Sequence, residues 1–119
     1  MIDRKERGRA GETAAVSFLE RQGVCILHRN YRCRWGEIDL IGKKGGMLLV
    51  IEVKMRESRQ QGYPSEAVNE RKQRKICRVF DYFRMENNLD ECISVRFDVI
   101  EVNRQYQCRW IENAFEYHW

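Results

Sequence analysis

Five consecutive apolar residues, Met47 to Ile51, follow Lys43-Lys44-Gly45-Gly46 and describe a strand buried on both faces. Glu52 and Lys54 then break the run. Because side chains alternate along a strand, Glu52 and Lys54 share one face while Ile51 and Val53 share the other. The preceding stretch from Gly36 forms a second strand carrying Asp39. If Lys43 to Gly46 make a four-residue loop, Gly42 pairs with Met47 and Asp39 faces Val50. Asp39 then lies diagonal to Glu52 on one face, roughly 7 to 8 Å away at the backbone, and a slip of one residue would separate them.

On either side of this hairpin the pattern predicts two helices and three more strands. Ala15, Val16 and Leu19, with Ala14 and Phe18 beside them, recur at helical spacing within Gly8 to Arg21, and Gly23 ends that helix. Val24 to Tyr31 reads as a strand with Val24, Ile26 and His28 on one side. Arg56 to Gly62 is polar without a period and reads as a mobile loop. A second helix starts near Ser65 or restarts at Asn69, both good N-cap residues, buries Ile76, Val79, Phe80 and Phe83, and fades by Asn87-Asn88. Ile93 to Val102 alternates, with Ile93, Val95, Phe97 and Val99 on one face and Arg96, Asp98, Ile100 and Val102 on the other. Asn103-Arg104-Gln105 turns into a last strand from about Tyr106 to Glu112, and the aromatic end, Phe115 to Trp119, packs on the domain or a partner. The connection from the Glu52 strand through the second helix is long enough for a right-handed parallel crossover. The expected fold class is α/β, a mixed central sheet flanked by helices in the order α-β-β-β-α-β-β.

The chain of 119 residues fits one domain, 1–119, with a single site. Hydrophobic content of 43% and charged content of 34% are those of an ordinary globular protein, and the net charge of +4 leans only slightly toward a polyanionic partner. The five cysteines are odd in number and contain no Cys-x-x-Cys pair, which fits reduced thiols and argues against a zinc site. No apolar run approaches a membrane span and no export signal follows the charged start, so the expected compartment is the cytoplasm, with no membrane partner.

Three charged positions change this bland picture. Desolvating Glu52 and Lys54 at the end of a buried strand costs several kcal/mol unless something compensates, and Asp39 adds a carboxylate beside them. Glu12 precedes Ala15, Val16 and Leu19 by three, four and seven residues, so it prolongs the buried stripe of the first helix. The plain alternative is that Glu12 merely lies in the first turn, where a negative charge favours the helix N-terminus. Lys72 and Gln73 prolong the stripe of the second helix in the same way, and a solvated lysine is the plain alternative. Arg29, Arg32 and Arg34 flank Trp35, a combination that can grip phosphate and stack on bases, although a lone Trp more often anchors a core. Arg32, Arg34, Trp35, Arg56, Arg59, Lys72 and Gln73 are the candidate nucleic-acid contacts. His28 and His118 are too few and too far apart for a histidine-metal nuclease, and no phosphate loop or nucleophile elbow is present.

Asp39, then Glu52-Val53-Lys54, with Glu12 on the first helix, resembles the PD-(D/E)XK nuclease superfamily, particularly its Holliday junction resolvase branch. More narrowly, Gly-Glu-Ile-Asp-Leu-Ile at 36 to 41, Ile-Glu-Val-Lys-Met-Arg at 51 to 56, Glu66-Ala67-Val68 followed by Lys72, and Arg96-Phe97-Asp98-Val99 resemble the YraN-type family of small bacterial proteins. The resemblance implies a restriction endonuclease-like fold and a divalent-metal nuclease acting on DNA, with branched or structured forms among the candidate substrates. It implies that Asp39, Glu52, the Val53 carbonyl and Glu12 hold Mg²⁺ or Mn²⁺, that Lys54 acts in catalysis and that Glu37 supports the ligands from behind. Resolvase relatives also pair as homodimers, though no self-complementary patch here requires one. Arg96 and Asp98 read as a structural pair. The rivals are a nucleic-acid-binding or assembly module that keeps the site without useful turnover, and a protein-interaction domain using the aromatic tail.

Overall fold

The computed structural model describes residues 4–56 and 68–119, so Arg59, Ser65, Glu66 and Ala67 of the sequence reading lie outside the described residues. The elements are α1 (Arg4–Arg21), β1 (Cys25–Cys33), β2 (Gly36–Lys44), β3 (Met47–Met55), α2 (Glu70–Glu86), β4 (Ser94–Val102) and β5 (Cys108–Phe115). They form one five-stranded mixed sheet in the order β1-β2-β3-β4-β5. The pair β3 and β4 is parallel and the other pairs are antiparallel, as the crossover through α2 requires.

Each face of the sheet carries its own apolar cluster. On one face Leu48, Val50, Phe97 and Val99 pack with Ile76, Val79, Phe80 and Phe83 of α2. On the other, Leu40, Leu49, Ile51, Ile100 and Val102 pack with Ala15 and Leu19 of α1. The alternation read from β3 and β4 therefore holds, and Leu48 to Ile51 is buried on both sides. Helix α2 starts where Asn69 accepts a hydrogen bond from the Lys72 amide, and its C-cap is Asn87. Helix α1 begins four residues before the apolar pattern. Charged residues with high helix propensity extend it, and Glu6 favours the N-terminal end of the dipole.

Two expectations about the first three strands are corrected. The β2–β3 turn is the two residues Gly45-Gly46, not four. Gly45 takes φ +61°, the left-handed conformation such tight turns need, and Lys44 pairs with Met47. The register thus moves by two residues, an even step, so Asp39 comes opposite Glu52 instead of Val50. In β1, an extra residue at Leu27 shifts the register between Ile26 and His28. Ile26 packs on the α1 side, whereas the His28 ring lies 5.3 Å from Phe83 of α2, so the two do not share a face.

Arg96 and Asp98 form the structural pair anticipated for β4. The Asp98 carboxylate, 1% exposed, accepts two Arg96 guanidinium bonds at 2.8 Å, the Trp110 indole N–H at 2.9 Å and the Asn113 amide at 2.8 Å. It ties β5 to β4 across a register slip between Phe97 and Val99. Asp98→Ala leaves these donors without their acceptor and is expected to destabilise the fold by about 3–5 kcal/mol in urea unfolding, with an unchanged m-value. Gly42→Ala is expected to cost about 1–3 kcal/mol, because a Cβ there would sit 2.7 Å from the β-branched Val24 and 3.2 Å from the Cys25 carbonyl oxygen.

Candidate functional site

The strand alternation slips once in the middle of β1 and β2. Ile38 and Ile41, three positions apart, both join the α2-side cluster, while Leu40 joins the α1-side cluster. On β1, Tyr31 and His28 both contact Phe83, while Arg29 and Asn30 between them both bond to α1. Asn30 takes φ 54°, a left-handed conformation that asparagine tolerates better than most residues. Asp39 lies across from Asn30 and shares its slip. It consequently lines a cavity of about 390 Å³ on the α1 side together with Glu12, Asn30, Glu37 and Val53.

Asp39 and Glu52 meet where β2 and β3 part. Their last ladder pair is Leu40 with Ile51, and beyond it the Val53 amide donates to Asp39 Oδ2 at 2.8 Å instead of to a strand. The Asp39 carboxyl is pushed up from 3.8 to about 8, first by burial, then by the charge of Glu52 and by a hydrogen bond between the two carboxyls; the Val53 amide works the other way. Two acids in contact hold a proton between them unless a cation takes its place. The donor set is therefore hard oxygen, the kind that suits Mg²⁺ or Mn²⁺.

The other expected residues fall into three groups. Lys72 reaches Glu52 Oε2 at 3.4 Å from the α2 side of the sheet, opposite to the α1 side from which Glu12 comes. Glu12 accepts from Asn30 Nδ2 at 2.8 Å and faces Arg29 Nε at 3.4 Å; it shares the Asp39 cavity from the α1 wall. Among the described residues no three Asp, Glu, His or Cys side chains converge as a group that could hold an ion, so two of the three expected carboxylates touch and Glu12 stands apart. Lys54 is exposed on the Glu52 face of β3, and Glu37 pairs with the exposed Arg32 at 2.8 Å.

Elsewhere the placements differ from the sequence reading. Arg56 is not in a polar loop open to phosphate. Its guanidinium is 14% exposed and bound to the buried Glu101 of β4, and its amide donates to the Val102 carbonyl. Gln73 bonds the Val68 carbonyl and pairs with the His118 ring at 2.7 Å, which makes it a latch for the C-terminal tail. Trp35 is 40% exposed, not a core anchor, with Arg34 and Arg78 each 4.7 Å from its ring centroid. Asn30 was missed by the sequence reading. Its signal, an asparagine inside a strand pattern, marks a left-handed residue only in hindsight of the pairing.

The family model described as "Uncharacterised protein family UPF0102" matches residues 11–102. A UPF0102 protein of Caldicellulosiruptor saccharolyticus is 44% identical over 119 residues, covering 96% of this chain and 100% of the relative. One from Lachnoclostridium phytofermentans is 41% identical over 115 residues, covering 97% of each. A UPF0102 protein of Clostridium botulinum is 42% identical over 117 residues, covering 94% of this chain and 95% of the relative.

The raised Asp39 value fixes the sign of a pH effect. The folded state holds the Asp39 proton more tightly than the unfolded chain, so the stability this group contributes is full below about pH 4 and is lost as pH rises through about 8. Asp39→Asn keeps an acceptor for Val53 and a donor for Glu52 without the charge. In the presence of a chelator, the melting temperature of the variant minus that of the wild type is expected to grow steadily from about pH 5 to about pH 9.

Proposed function

The chain belongs to the uncharacterised protein family UPF0102, the YraN-type family its motifs resemble, and from that premise we propose that it is a divalent-metal-dependent nuclease with a restriction endonuclease-like fold. The observation that carries this reading is the contact between Asp39 and Glu52, two acids pressed together at the end of a buried strand with Lys54 following on the same face. Natural sequences rarely keep such an arrangement for stability alone.

Asp39, Glu52 and the Val53 carbonyl would hold Mg²⁺ or Mn²⁺, with Glu12 reaching it from α1 directly or through water. The ion, when bound, polarises a phosphodiester and acidifies a water molecule. The residues of the chain do the rest. The Val53 amide fixes the Asp39 carboxyl, Lys72 steers that of Glu52, and Asn30 with Arg29 sets the direction of Glu12. Lys54 orients the attacking water or balances charge on the phosphorus. Glu37 supports Asp39 from the wall of the same cavity. DNA, in linear or branched form, is the substrate class we infer, and five free cysteines agree with work in the reducing cytoplasm.

The test is cleavage of linear, flapped and four-way DNA with Mg²⁺ or Mn²⁺. Glu52→Ala and Lys54→Ala are each expected to lose at least about a hundredfold in rate. Cleavage that persists in both variants overturns the assignment, and DNA binding without any cleavage returns the chain to a binding module. Mn²⁺ is expected to raise the melting temperature of the wild type near pH 8 and to leave Asp39→Asn almost unmoved, a readout independent of turnover.

A further inference from the structure

A cavity of about 590 Å³ lies away from the acids, between the outer face of α2, the β1–β2 turn and the C-terminal tail. Its walls are cationic and aromatic. Arg71, Lys75 and Arg78 line it from α2, Trp35 from the turn and Trp119 from the tail. Arg71 and Lys75 are exposed and make no ion pair among the described residues, whereas Asp81, the acid in the lining, is already engaged by the Tyr117 hydroxyl at 2.7 Å and by Arg84 at 3.7 Å. Arg34 and Arg78 flank the Trp35 ring at 4.7 Å, and Trp119 is fully exposed.

We propose that this groove binds single-stranded nucleic acid, with phosphates on Arg71, Lys75 and Arg78 and bases stacked against Trp119, while Trp35 holds Arg34 and Arg78 over its ring. A row of cations one helical turn apart follows a phosphate backbone, and exposed indoles take up the flat faces of bases. In a duplex those faces are already stacked, so the aromatic half of the groove has work only on an unpaired strand. An acidic peptide would satisfy the cations and leave the Trp119 indole idle. The groove also leads somewhere. Lys72, next to Arg71 but outside the groove lining, contacts Glu52 at 3.4 Å, so the acids lie beside the N-terminal end of a cationic row that runs on along about 10 Å of helix. That a strand in the groove emerges from the cleavage centre, making overhangs or flaps the preferred substrates, rests on the nuclease reading above; binding in the groove does not.

The experiment is fluorescence anisotropy of labelled oligothymidylate and oligouridylate of roughly 12 nucleotides across a salt series, with no divalent metal. The wild type is expected to bind. The Arg71→Gln, Lys75→Gln double variant is expected to flatten the slope of log affinity against log salt by about 1.4, since two phosphate contacts on a single strand are lost. Trp119→Ala is expected to weaken binding about tenfold. Affinity and slope that ignore all three groove substitutions overturn the proposal, even if the protein cleaves DNA. Equal competition by polyglutamate of matched charge also overturns it. Binding that responds to these substitutions in a protein that cleaves nothing upholds the groove while the nuclease reading fails.

Discussion

Two carboxyl groups held in contact are the constraint around which the rest of this structure is arranged. Asp39 and Glu52 repel each other when both are charged, and their burial makes that repulsion stronger than it would be in water. The fold holds them there by several devices at once. An even register in the β2–β3 hairpin brings them opposite each other, an open ladder end lets the Val53 amide grip Asp39, and a slipped alternation turns Asp39 toward α1. Helix α2 then supplies Lys72 as a counter-charge from the other face. The two helices, on opposite sides of the sheet, are thus joined through the end of its central strand.

Much of the architecture could be read from periodicity. The faces of β3 and β4, the parallel crossover and the buried stripe of α2 all follow from strong alternation or strong helical spacing, because burial on a defined side leaves little freedom. The turn after β2 was harder. Lys43 and Lys44 look like loop residues, yet a hairpin end projects into water and accepts charged strand residues without penalty. The even step kept Asp39 opposite Glu52, but the expected shared face did not hold: the slip turns Asp39 toward α1 while Glu52 faces Lys72 of α2, and the two carboxyls meet around the strand end. The slip at Asn30 was not legible at all, since it depends on pairing and not on residue order.

Partners remote in the chain were the other blind spot. Arg56 follows a strand and opens a polar run, and nothing local reveals that Glu101 waits on β4 to bind it. Trp35 had the opposite fate, left half in solvent by a turn too short to fold back. The basic residues Arg71, Lys75 and Arg78 do stand out as a stripe on the polar face of α2. Their convergence with Trp35 and Trp119 needed the tail to fold over the helix, where Tyr117 and His118 fasten it. Candidate contacts chosen as isolated charges were therefore less informative than charges sharing a wall with an aromatic ring.

The two outer strands have one trait in common. β1 and β5 each carry a register slip and an asparagine at positive φ, Asn30 at 54° and Asn113 at 53°. Such kinks spoil the straight row of free amides and carbonyls that a passing strand would need. The sheet is in effect hemmed on both sides: copies of the protein meeting in a crowded cell have no clean border along which to zip into a larger sheet.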